Sequence, residues 1–187
     1  MKEEKFKLDS FIGGWYINEK TCENIIDFFE KNKSRQVKGL VGANKIINTN
    51  IKNSTDVPLH SYDTLLDEYN IQLQKCLNNY IKKYPEVNSY AEFNSGIEGY
   101  NIQRYLPGEG FYKLHWERDH NSSRCLVFMT YLNNVKNGGT YFKYQNITTE
   151  AKKGLTLIWP TDFTHTHQGK VAKETKYILT GWYNFVR

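Results

Sequence analysis

Midway along the chain the spacing of apolar residues changes period, and that change limits the fold more than any single motif. Leu65, Tyr69, Leu73, Cys76, Leu77, Tyr80, Ile81 and Tyr84 recur at intervals of three and four, which places them on one stripe of an α-helix. Pro85 ends the pattern, because a proline pushes the residue before it out of the helical region. From Tyr100 the apolar runs shorten to strand length. Residues 100–106, 111–116, 124–132, 140–144, 155–159 and 176–185 are rich in aromatic and branched side chains, the composition of a pleated, half-buried surface. Pro107-Gly108-Glu109-Gly110 and Asn137-Gly138-Gly139 lie between them and form turns. Six or seven short strands in about 85 residues predict a sandwich or barrel of two sheets, with the long helix packed outside one of them.

The first half reads as helical. An N-cap at Thr21 and apolar residues at Ile25, Ile26, Phe28 and Phe29 predict a first helix to about Lys33. Residues 34–58 are rich in Asn, Ser, Thr and Gly and read as a loop with at most one short strand around Ile46. With no repeat, low-complexity tract or linker, residues 1–187 are expected to form a single domain, 1–97 as helical support and 98–187 as a β core.

Charge and cysteine usage narrow the function. Twenty-five Lys and Arg against 20 Asp and Glu give a net charge of +5. The positive residues are scattered, Lys82-Lys83 and Lys152-Lys153 among them, so a solvated surface is the expectation and nucleic acid is not the expected partner. Cys22, Cys76 and Cys125 are odd in number and widely spaced, unlike a zinc pattern, and Cys76 and Cys125 read as buried small hydrophobes. The charged N-terminus lacks a signal-peptide core, and no apolar stretch approaches the ~20 residues of a membrane span. A soluble, cytoplasmic protein of a reducing compartment is expected.

Against that background His115-Trp116-Glu117 stands out. Side chains two apart on a strand share a face, so His115 and Glu117 can converge on one point. An isolated His-x-Glu arises often by chance, and the pair alone reads as a shared solvent face. About fifty residues later come Trp159-Pro160, then His165-Thr166-His167, then Lys176-Tyr177. One imidazole from this distant segment completes two histidines and a carboxylate, a set that leaves coordination positions open on ferrous iron. Asp119 offers a competing carboxylate of the same parity. His165 and His167 compete for the third position on equal parity.

The surroundings carry a resemblance. Tyr105-Leu-Pro-Gly-Glu-Gly-Phe-Tyr112-Lys-Leu-His115, then Arg124 to Tyr131-Leu132-Asn133, Gly138-Gly139, Gly154 to Trp159-Pro160, His167, Lys176-Tyr177 and Thr180-Gly-Trp182 follow in order. This succession resembles the iron(II)- and 2-oxoglutarate-dependent dioxygenases of the prolyl 4-hydroxylase-like branch, and is similar to small bacteriophage members with His-x-Glu in place of His-x-Asp. It covers about residues 98–187. The resemblance implies a mainly β, α+β fold: a double-stranded β-helix (jelly-roll, cupin-like) core with N-terminal supporting helices. It implies His115, Glu117 and a distal histidine as iron ligands. His167 is favoured, because Lys176 then lies nine positions beyond it and Phe163 takes the place of the family's aromatic; His165 is the alternative. Lys176 looks like the cation for the far carboxylate of 2-oxoglutarate, since a buried charge needs a fixed counterion. Tyr105, Tyr131 and Thr180 look like its hydroxyl donors, and Trp182 like a wall of that pocket. One departure is the absence of the acid that often follows Gly-Gly in relatives with His-x-Glu; here Thr140 follows Gly139.

The reaction so implied hydroxylates an unactivated C–H bond with O2 while 2-oxoglutarate becomes succinate and CO2. Fe(II) is the cofactor and 2-oxoglutarate the cosubstrate, with ascorbate an allowable accessory reductant. A peptidyl, proline-like substrate is the first expectation, and a small molecule or nucleobase the alternative. A jelly-roll binding module without chemistry is the rival of a different class, disfavoured by the complete triad plus Lys176. A zinc hydrolase is disfavoured because His-Glu-x-x-His is absent.

Overall fold

The computed structural model describes residues 1–42, 44–60, 62–88, 93–94, 99–118 and 122–185. In chain order the elements of the first part are β1 (Glu3–Glu4), β2 (Gly13–Tyr16), α1 (Glu19–Lys31), β3 (Val37–Lys38), β4 (Lys52–Asn53), β5 (Thr55–Leu59) and α2 (Asp67–Lys83). Then follow β6 (Phe93–Asn94), β7 (Tyr100–Tyr105), β8 (Gly110–Phe111), β9 (Arg124–Tyr131), β10 (Thr140–Phe142) and β11 (Ile147–Thr148). The chain closes with β12 (Leu155–Pro160), β13 (His167–Gly169) and β14 (Lys176–Phe185).

The major sheet runs β1-β2-β12-β9-β14-β7-β5-β3, with β6 attached to β14. A smaller sheet has the order β11-β10-β13, and β4 pairs with β8. This is a mainly β jelly roll with helices on one outer face. Alternation along each strand gives the major sheet two apolar sides. Ile102, Phe128, Ile158, Leu179 and Tyr183 pack against Ile25, Phe29, Tyr69, Leu73 and Tyr80 of the helices. On the other side Tyr105, Val127, Met129, Tyr131, Leu157, Trp159 and Ile178 meet Phe142 of the smaller sheet. The α2 stripe is the buried one, and Tyr69 at its start bonds Thr130 of β9 at 2.9 Å. No helix among the described residues is long and apolar enough to cross a membrane.

Three local expectations need correcting. The N-cap of α1 is Asn18, whose side chain accepts from Lys20 N–H at 2.8 Å. Thr21 lies within the first turn, where its hydroxyl accepts from Gln72 of α2 at 2.9 Å, so the capping chemistry read there ties two helices together. The segment 34–58 is not loop throughout: β5 is a full member of the major sheet between β7 and β3. Its polar sequence hides this, because inward-facing Asp56 is satisfied by Lys52, Ser54 and Asn101 at 2.6–2.9 Å. Finally, the run 111–116 is not a continuous strand. Its ladder ends at Phe111 and resumes as a single bridge, His115 opposite His167.

Candidate active site

That single bridge builds the site. His115 and His167 exchange both backbone hydrogen bonds, at 3.0 and 2.8 Å, which fixes the two imidazoles side by side. Glu117 N–H donates to Thr161 O at 3.1 Å, holding the next turn of chain against the end of β12. Among the described residues, His115, Glu117 and His167 form a group of donors whose atoms all lie within 4.8 Å of one another. Trp116, between the first two, points outward and is exposed.

Each ring is oriented by its far nitrogen. His115 Nδ1 donates to Lys113 O at 3.0 Å, and His167 Nδ1 to His165 O at 2.8 Å. Both rings therefore present Nε2 inward, the arrangement expected of a ligating histidine. Glu117 Oε1 lies 3.3 Å from His115 Nε2 and 3.4 Å from His167 Nε2. Two nitrogen lone pairs and a carboxylate oxygen aimed at one point repel unless a cation stands between them, so this donor set fits a divalent metal. Burial works to raise the Glu117 carboxyl, but hydrogen bonding and charge from His115 and His167 overcome it and hold the group well below the usual carboxylate range. Burial, aided by the charge of His115, lowers His167 and favours its neutral, metal-binding form. Phe111 stacks on His115 at 3.7 Å, and Trp159 and Phe142 pack on His167.

His165 is placed elsewhere. It ends a single 3-10 turn, Phe163–His165, so it does not share strand parity with His167. Its Nε2 donates to Ser10 O at 3.0 Å and its Nδ1 bonds Thr164 at 3.0 Å, leaving no nitrogen for the cluster. Asp119 lies outside the described residues.

Lys176 opens β14 on the barrel side, with Ile178, Thr180 and Trp182 following on the same face. It is 4% exposed, and its ammonium donates to Gly138 O at 3.0 Å and Lys170 O at 2.8 Å. Burial pulls its pKa down to about 8, and no carboxylate among the described residues offsets that. A Cβ at Gly169 would lie 3.7 Å from Nζ. Gly169 stands two residues beyond His167 on β13, so the ammonium lies against the strand that carries His167. The Tyr105 ring lies 5.3 Å from Nζ, and its hydroxyl donates to Gln103 at 2.6 Å. Tyr131 hydroxyl bonds Thr140 at 2.7 Å and Thr149 at 2.8 Å. Thr180 hydroxyl donates to Phe128 O at 3.0 Å. Trp182, read as a wall of that pocket, also reaches the donor set. Its indole N–H donates to Glu117 Oε2 at 3.1 Å, so it touches the carboxylate.

Residues 100–184 match the family model of the 2OG-Fe(II) oxygenase superfamily. That stretch is a 2OG-Fe(II) oxygenase domain. Solved structures agree on the fold. A prolyl hydroxylase from Trichoplax adhaerens, in complex with a hypoxia inducible factor oxygen degradation domain peptide, superposes with TM-score 0.72 at 16% identity, over 92% of this chain and 83% of that one. The viral collagen prolyl hydroxylase of Paramecium Bursaria Chlorella virus-1 gives 0.69 at 16% identity, over 95% and 97%. A Pseudomonas putida prolyl-4-hydroxylase gives 0.72 at 14% identity, over 95% and 96%. No curated protein sequence matches the chain significantly.

Sequence reasoning missed two residues that pack around the site. Arg124 donates to Glu117 O at 2.8 Å and lies over the Trp182 ring at 3.7 Å. Nothing local marks it, since an arginine opening a strand is ordinary. Lys52, likewise unmarked, forms a 2.7 Å buried ion pair with Asp56. Register then places Lys52 opposite Phe111, the residue stacked on His115.

Proposed function

We propose that this chain hydroxylates an unactivated C–H bond in a peptidyl, proline-like substrate, using Fe(II), 2-oxoglutarate and O2. The observation that carries the reading is Lys176, a buried ammonium with no carboxylate partner among the described residues, against the strand that brings His167 into an oriented His-Glu-His donor set. In this reading His115, Glu117 and His167 hold the iron. Lys176 meets the far carboxylate of 2-oxoglutarate, replacing lost hydration with a charge-assisted contact. Tyr105, Tyr131 and Thr180 stand on the same face, and their hydroxyls turn from Gln103, Thr140 and Phe128 to donate to 2-oxoglutarate. When bound, iron supplies the coupling of O2 reduction and decarboxylation, to succinate and CO2, with oxidation of the substrate carbon. The protein's part is to fix the ligand geometry, orient the cosubstrate and keep the pocket dry. A peptide substrate is supported by two of the similar proteins, one solved with a peptide and one a collagen prolyl hydroxylase. Ascorbate belongs to the proposal as an accessory reductant that prolongs turnover.

Anaerobic titration with Fe(II) and 2-oxoglutarate tests the site. A weak visible charge-transfer band is expected, and its loss in His115→Ala. A wild-type protein that binds neither ion nor cosubstrate sinks the reading. Succinate release with proline-containing peptides against nucleosides tests the substrate class, and turnover on nucleosides alone reverses it.

A further inference from the structure

The two oxygens of Glu117 have different neighbours. Oε1 faces His115 and His167, whereas Oε2 takes the indole N–H of Trp182 at 3.1 Å and lies 3.8 Å from Arg124 Nη1. An indole nitrogen donates and cannot accept or ligate, so Trp182 can hold an oxygen but cannot compete for a metal. Arg124 secures the arrangement from two directions. Its guanidinium covers the Trp182 ring at 3.7 Å, and it donates to the backbone carbonyl of Glu117 at 2.8 Å. Thr161 fixes the Glu117 N–H at 3.1 Å. The backbone and outer oxygen of one glutamate are thus restrained by three separate elements: the Arg124 end of β9, the end of β12 and Trp182 of β14.

Glutamate needs this restraint more than aspartate would. The extra methylene adds a rotatable bond, and a freely turning carboxylate beside a metal can bring both oxygens onto it. A two-histidine, one-carboxylate site works by keeping positions open, and a second carboxylate oxygen would fill one of them.

We propose that Trp182, steadied by Arg124, is a positioning residue that holds Glu117 as a one-oxygen ligand and keeps a coordination position free. This rests on reading His115, Glu117 and His167 as a metal site. It gives Trp182 a task separate from lining the cosubstrate pocket.

Trp182→Phe keeps a ring under Arg124 and removes the N–H. Metal affinity is read by competition with a chelating dye, using Fe(II) under anaerobic conditions and Co(II). Coordination is read from the visible absorption of the Co(II) protein without cosubstrate. Trp182→Phe should weaken metal binding by about 10–100-fold, the usual effect of losing a partner behind a ligand. It should also shift the Co(II) spectrum toward the weaker bands of higher coordination number. In a Glu117→Asp background the shorter side chain does not reach the indole, so Trp182→Phe should then change little. An equal loss in both backgrounds overturns the proposal, as does a Trp182→Phe protein with wild-type affinity and spectrum. If Trp182→Phe does not fold, judged by circular dichroism, Arg124→Gln takes its place. It should give the same spectral shift, and an unchanged spectrum overturns the proposal. Failure of the functional reading looks different: the wild-type protein itself would bind neither Fe(II) nor Co(II).

Discussion

Removing the Lys176 ammonium should make the protein more stable and, at the same time, unable to take 2-oxoglutarate. The drop in pKa from 10.5 to about 8 means that keeping this side chain charged inside the fold costs about 3 kcal/mol at neutral pH. Lys176→Met keeps the stem and deletes the charge. Against that gain, the carbonyls of Gly138 and Lys170 lose their donor, at about 1 kcal/mol each. A net stabilisation of about 1–2 kcal/mol remains, or about 2–8 °C in Tm for a chain of this size. The effect has a pH signature. Because the folded pKa is depressed, the unfolded chain binds more protons between about pH 8 and 10.5, so wild-type stability rises through that window. Lys176→Met lacks this rise, and its advantage should shrink from pH 7 to pH 10. Thermal unfolding of both proteins, free of metal and cosubstrate, measures the difference at each pH, and other titrating groups cancel. Adding 2-oxoglutarate with a divalent metal should stabilise wild type, while Lys176→Met should bind the cosubstrate at least about 30-fold more weakly. A Lys176→Met protein less stable than wild type at pH 7, an advantage independent of pH, or an undiminished response to 2-oxoglutarate would each refute the reasoning.

Two further outcomes follow from the same geometry. His167→Ala should abolish Fe(II) binding, whereas His165→Ala should retain it and lose the ties to Ser10 and Thr164; retained iron in His167→Ala would move the third ligand to His165. Asp56→Leu leaves the buried Lys52 ammonium without its 2.7 Å partner and should destabilise the fold by about 3–5 kcal/mol, read as the midpoint shift in urea; a shift below 1 kcal/mol would mean that water reaches Lys52.

How much of this was legible in the sequence depended on whether the signal was local. The α2 stripe from Leu65 to Tyr84 and the strands 124–131, 155–160 and 176–185 show themselves because every second or every third to fourth side chain enters a core. β5 did not, since its inward Asp56 is paid for by Lys52, Ser54 and Asn101 from outside the strand. His115 and Glu117 were readable as a pair, although the strand geometry assumed for them is replaced by one bridge and a bend. The partners of Trp182 and Arg124 were not readable at all, because Glu117 lies 65 and 7 residues away from them.

By itself the sequence determined a two-sheet β core, the two outer helices, and the order in which His115, Glu117, His167 and Lys176 are met; the jelly roll was implied by the family resemblance. Periodicity records which face of each element is buried, and that much is written along the chain. The tertiary structure decided between His165 and His167 as the imidazole beside Glu117. One lies in a 3-10 turn with both nitrogens engaged, and the other begins a strand opposite His115. Parity cannot make that distinction, since a turn of one residue's difference resets it. It was also the fold that turned Trp182 toward Glu117 and left Lys176 buried with no carboxylate partner among the described residues, because both depend on what β9, β10 and β13 bring to the inner face of β14.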